Sequence, residues 1–85
     1  MFLHIGSDVV VPYREVIAIL DAELLKRSQA VRDLVALQEL EKRVRDVAEG
    51  RPRSIVLTDR GIYLSPISTL TLRRRGTLMG EAEGT

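Results

Sequence analysis

The 85 residues include no cysteine and a single histidine. For so short a chain this is the tightest constraint on what it can fold into. One core of this size is marginal, and small domains ordinarily reinforce it with disulfides, a structural metal or further subunits. Without cysteine there is no disulfide, no thiolate nucleophile and no cysteine-based metal site. One imidazole does not build a zinc site either. Self-association is the remaining way to bury more apolar surface. The expectation is therefore a homo-oligomer with no metal and no cofactor. Residues 1–80 form its single domain, and a flexible acidic tail follows over 81–85.

No stretch approaches the ~18 consecutive apolar residues of a membrane span. The start, Met1-Phe2-Leu3-His4-Ile5-Gly6, has neither the basic leader nor the long apolar run of a signal peptide, and it meets Asp8 almost at once. A cytoplasmic protein without a membrane partner is expected.

The net charge of +1 hides an uneven distribution. Residues 1–50 carry seven basic and nine acidic side chains, whereas residues 51–80 carry six arginines against Asp59 alone. Glu81 and Glu83 then return negative charge at the end. Arginine presents a planar fork of donors that suits phosphate oxygens, so a basic third made only of arginine points to phosphate contacts. The competing explanation is a solubilising surface.

Along the chain, Phe2–Ile5 and Val9–Val11 read as strands around a Gly6-Ser7-Asp8 turn, with Pro12 closing the second. Glu15–Leu20 reads as a buried strand from its β-branched content. Residues 21–27 are a transition. From Ser28, a suitable N-cap, Val31, Leu34, Leu37, Leu40, Val44 and Val47 recur at helical spacing, and Gly50 marks the latest end. On that reading Arg32, Asp33, Glu39, Lys42, Arg43 and Asp46 belong to its solvated surface. Ser54–Thr58 and Ile62–Leu64 form a hairpin through Asp59-Arg60-Gly61. Ser65 then caps a short final helix with Pro66 at its first position. The fold class is α+β: a small, mainly antiparallel sheet, one longer helix and a short C-terminal helix.

Catalysis fails on inventory. The only histidine, His4, lies in a short N-terminal strand, where it reads as a structural or surface residue and not as a base. Glu39 and Glu41 stand two apart on a helix and diverge, and no glycine-rich loop cradles phosphate. Neither an enzyme nor a small-molecule substrate is expected. Binding is better supplied. Arg51 and Arg53 project from a loop just ahead of a strand, Arg14 stands ahead of another, and Arg73-Arg74-Arg75 cannot all face a core. Phe2, Tyr13 and Tyr63 are the only aromatics, with Tyr13 the candidate for exposure beside Arg14. Backbone contact with double-stranded DNA is thus favoured over base stacking.

Several segments in order carry a resemblance. Met1–Val11 runs into Arg14-Glu15-Val16-Ile17-Ala18-Ile19-Leu20-Asp21. Pro52-Arg53-Ser54-Ile55-Val56-Leu57-Thr58, Tyr63-Leu64-Ser65-Pro66-Ile67-Ser68 and Thr71-Leu72-Arg73-Arg74-Arg75 follow. Together they resemble the extracellular matrix regulator family, nearest its RemB branch, over roughly residues 1–22 and 50–76. The resemblance implies a DNA-binding transcriptional regulator of biofilm matrix genes, a ring-shaped oligomer and a LytTR-like α/β subunit. It implies DNA contacts from Arg14 and from the Arg51/Arg53 loop, and an extended Arg43–Val47 segment. Pro52 departs from the denser basic run of RemA, which leaves open an oligomeric protein-interaction module of the same fold without DNA binding. The DNA-contacting set is Arg14, Arg51, Arg53, Arg73 and Arg74.

Overall fold

The computed structural model describes the backbone of residues 1–84 and the side chains of residues 1–76. The tail expected over 81–85 falls outside the residues described in full. Strands β1 (Phe2–Gly6) and β2 (Val9–Pro12) form an antiparallel hairpin. Its turn places Ser7 and Asp8 at φ 50° and 60°, the left-handed pair that a tight two-residue hairpin turn requires. Alternation then buries Leu3, Ile5 and Val11 on one face of the ribbon.

A single 3-10 turn, Tyr13–Glu15, leads into β3 (Val16–Asp21). With β4 (Val44–Asp46), β5 (Ser54–Thr58) and β6 (Gly61–Ser65) it makes a four-stranded sheet of order β3-β5-β6-β4. The β3–β5 and β5–β6 pairs are antiparallel, and β4 runs parallel to β6. The helices are α1 (Leu24–Arg27), α2 (Gln29–Leu40) and α3 (Thr69–Gly84). The fold is α+β with mainly antiparallel pairing, as the sequence predicts.

The four-stranded sheet is the middle of three layers. Val56 packs on one side with Leu3, Ile5 and Val11 of the hairpin, Val47, and Leu72 of α3. Ile55, Ile62 and Leu64 pack on the other with Ala22 and with Val35 of α2. Successive strand residues face opposite ways, so the apolar run Ser54–Thr58 serves both cores.

Four expectations are corrected. The helix from Ser28 forms, and Ser28 Oγ accepts from the Val31 amide at 3.2 Å, but it ends at Leu40 instead of reaching Val47. Its stop is a Schellman motif. Lys42 N donates to Glu39 O and Arg43 N to Gln38 O, both at 2.9 Å, with Lys42 at φ 60°. Glycine usually holds that left-handed position, and a lysine there leaves no visible signal. Val44 therefore lies on a strand, and Val47 enters the hairpin-side core.

Within α2 the packed positions are Val31 and Val35, while Leu34, Leu37 and Leu40 are 38%, 54% and 82% exposed. Steps of three residues advance 300° around a helix, so the 31-34-37-40 series drifts off the core face by about 60° per step. Residues 21–27, read from the sequence as a transition, contain α1. Finally, Ser68 and not Ser65 precedes α3. Ser68 Oγ accepts from Thr71 N, and the helix runs 16 residues, longer than expected.

Candidate functional site

Arg14 sits in the 3-10 turn with its side chain exposed, at the end of the sheet where Val16 pairs with Thr58. Arg51 and Arg53 lie at the opposite end. Asp21 pairs with Ser54 there, and Arg53 O accepts from Ala22 N at 3.1 Å. The length of β3 separates the two groups, roughly 20 Å at about 3.3 Å per residue. The sequence places them on the rim of one sheet, and the structure puts them on its two ends.

The Arg51/Arg53 loop is well held. Asp46 Oδ1 and Oδ2 accept from Ala48 N (2.8 Å) and Gly50 N (2.9 Å), and Arg53 N donates to Ser65 O at 2.8 Å. Glu49 and Gly50 both take left-handed backbone to make the bend. The loop borders a cleft of about 520 Å³ that also receives Lys26, Asp21, Glu23 and the start of α3. Two carboxylates therefore share the cleft with its three cations.

The Arg73–Arg75 run divides by role. Arg73 Nη2 donates to Ile19 O (3.0 Å) and Arg75 Nη1 to His4 O (2.9 Å), so both fasten α3 to the strands beneath it. Arg74 between them is exposed and makes no hydrogen bond or ion pair among the described residues. Arg73 is thus a strap as well as a charge. Tyr13, the candidate for exposure among the aromatics, is half-buried under α3. A Cβ on Gly76 would stand 2.6 Å from its hydroxyl oxygen, so only glycine lets the helix lie so close. Tyr63 is half-buried in β6 against the hairpin-side core, and Phe2 is 56% exposed.

A second basic group was missed. Lys42, Arg43, Arg45 and Arg60 surround a cleft of about 170 Å³ between β4 and the β5–β6 turn. It opens at the Arg14 end of the sheet, where Asp59 N donates to Glu15 O and the Arg60 guanidinium stands 3.5 Å from the Glu15 carboxylate. Extending the helix to Val47 places Lys42 and Arg43 on a mixed-charge helix surface, which hides the cluster. The extended Arg43–Val47 segment implied by the family resemblance is the one signal that reveals it.

Exposed apolar side chains form two further patches. Leu34 of α2 and Ile17, at the irregularity in β3, flank a groove floored by Leu57 and Ile62, with Leu37 and Leu40 further along the helix. Met1, Phe2 and Val10 are exposed on the hairpin. No helix among the described residues is long and apolar enough to cross a membrane, and those residues contain no group of three or more potential metal-binding side chains.

The family model for extracellular matrix regulatory protein A-like (RemA-like) proteins matches residues 2–75. The chain belongs to the RemA-like family. It is also 35% identical over 83 residues to extracellular matrix regulatory protein B of Bacillus subtilis (strain 168), an alignment covering 98% of this chain and 99% of that protein. The RemA-like match spans every strand, α1 and α2, and the part of α3 that carries Arg73–Arg75. Its members are named for regulation of the extracellular matrix.

Proposed function

We propose that the chain is a cytoplasmic, DNA-binding transcriptional regulator of biofilm matrix genes that grips duplex DNA through arginine–phosphate contacts from an oligomeric ring. The observation that carries this reading is the presentation of Arg14, Arg51, Arg53 and Arg74. All four are exposed, and none has a salt bridge among the described residues. Arg14, Arg51 and Arg53 also stand at strand ends, with the Arg53 backbone bonded to the sheet, so little order is lost when phosphate binds.

One subunit offers a small footprint. A ring repeats it on one surface and raises avidity without new contacts. The Ile17/Leu34/Leu37 strip and the Met1/Phe2/Val10 patch differ in composition and lie on different elements, which suits a head-to-tail contact, the kind from which rings are built.

Fluorescence anisotropy of a DNA duplex, titrated at several salt concentrations, tests the proposal. Binding that weakens steeply as salt rises is expected, because each phosphate contact releases counterions. Arg14→Ala and Arg51→Ala should each weaken binding without changing the fold.

One observation favours a second reading, an oligomeric protein-interaction module. Asp21 and Glu23 border the same cleft as Arg51 and Arg53 and lower its positive potential, while Pro52 interrupts the basic run between the two arginines. Under that reading neither substitution alters anything in the anisotropy assay.

A further inference from the structure

The cleft between β4 and the β5–β6 turn has four cationic walls, Lys42, Arg43, Arg45 and Arg60, and no carboxylate borders it. All four side chains are exposed. Glu41 approaches Arg43 at 3.8 Å and Glu15 approaches Arg60 at 3.5 Å, separations too long for tight charge-assisted hydrogen bonds. Lys42 and Arg45 have no ion pair among the described residues. Like charges gathered around so small a space repel, and a bound anion relieves that repulsion.

The backbone holds the group together from both sides. The left-handed Lys42 ends α2 and turns the chain into β4, which delivers three of the cations within four residues. Gly61, at φ 142°, lies flat against the Arg43 carbonyl, which a Cβ there would overlap, and Ile62 N donates to that carbonyl at 2.8 Å. The turn bearing Arg60 is thereby pinned to the start of β4. A lysine in a backbone conformation that suits glycine is a local cost, and such costs concentrate at binding sites.

We infer that this cleft also binds the phosphodiester backbone of duplex DNA and that, with Arg14, it gives this end of the sheet a second phosphate-contacting surface in addition to the Arg51/Arg53 loop. The inference rests on the DNA-binding reading above and says where on the molecule a further contact is made. From Arg14 at β3 across β5 and β6 to β4 is three interstrand steps, about 14 Å at ~4.8 Å each. Successive phosphates of one strand rise ~3.4 Å along the axis while winding around it, so the row faces roughly two or three phosphates. Arginine forks match tetrahedral phosphate oxygens two at a time, and three of the four cleft cations are arginine. The cleft at the opposite end gathers three cations with Asp21 and Glu23, whereas this one gathers four, with Glu41 and Glu15 beside two of them.

The test compares the unmodified protein with Arg45→Ala/Arg60→Ala, Arg45→Lys/Arg60→Lys and Arg51→Ala/Arg53→Ala, using duplex anisotropy over a salt series and thermal melts to verify folding. The alanine pair at the cleft is expected to weaken binding by about tenfold or more and to flatten the salt slope by about 1.8, or ~0.9 per lost contact. The lysine pair should keep most of the slope. Wild-type affinity and slope in Arg45→Ala/Arg60→Ala, with both lost in Arg51→Ala/Arg53→Ala, would overturn the inference and leave the DNA-binding reading standing. Absence of salt-sensitive duplex binding by the unmodified protein overturns both. If poly-glutamate binds more tightly than the duplex and is lost from the alanine pair, the cleft belongs to an acidic protein partner and the inference fails.

Discussion

At Lys42, Gly61 and Ser65 a single substitution has a definite local consequence. Lys42 spends backbone energy at the left-handed position of the α2 stop, where a non-glycine residue costs roughly 1 kcal/mol. Lys42→Gly should raise stability by up to about 1 kcal/mol in urea denaturation while weakening duplex binding, a divergence that a purely structural lysine would not produce. Gly61→Ala forces a Cβ into the Arg43 carbonyl at a positive φ and should cost ~2–3 kcal/mol; a loss within error of zero would refute the close approach. Ser65 is fully buried. Its Oγ donates to Ile5 O at 2.7 Å and accepts from Ile67 N at 3.0 Å, tying the hairpin to the segment that enters α3. Ser65→Ala leaves both partners without that bond and should cost roughly 1–3 kcal/mol by the same measurement.

At the scale of elements, β3 is an edge strand, with β5 on one side and no strand on the other. An exposed edge invites pairing with another chain, and here α3 answers that hazard. Leu72 is fully buried, Gly76 seats the helix on Tyr13, and Arg73 occupies the outward carbonyl of Ile19. Arg73→Ala should lower the melting temperature by only a few degrees, since the lost bond is solvent-exposed. The same variant should also show more concentration-dependent aggregation on light scattering, and unchanged aggregation would argue against the guarding role. Helix α2 behaves differently. Its packed stripe is narrow, and three leucines stay outside the core.

For the whole molecule, those leucines set the prediction. In the proposed assembly, the exposed Leu34, Leu37 and Ile17 beside the groove over Leu57 and Ile62 are the contact surface. Leu34→Asp/Leu37→Asp should leave the circular dichroism spectrum intact and shift sedimentation velocity to the 9.5 kDa monomer. Duplex binding should fall steeply in that variant, because avidity is lost while every arginine remains. A monomeric variant that binds DNA at full strength would refute the link between assembly and binding.

Strands β1, β2, β3, β5 and β6, the two hairpin turns and the Ser28 cap were legible in the sequence, whereas β4 was read as helix. β-branched alternation, positive-φ turn residues and capping hydroxyls act over a few residues and leave local marks. The uneven charge and the absence of cysteine likewise bounded the chemistry before any fold was known. The end of α2 was not legible, because Lys42 does the work that glycine usually advertises, and the apolar spacing continues through Val44 and Val47 into a strand. Which face of α2 packs was hidden for a related reason: a three-residue repeat looks helical but rotates away from any fixed partner. Only tertiary structure decided that Arg14 and Arg53 stand at opposite ends of one sheet, that Arg73 and Arg75 are spent on carbonyls, and that Lys42, Arg43, Arg45 and Arg60 converge. Those facts depend on strand order and register, which join residues far apart in the chain through hydrogen bonds that no local pattern specifies.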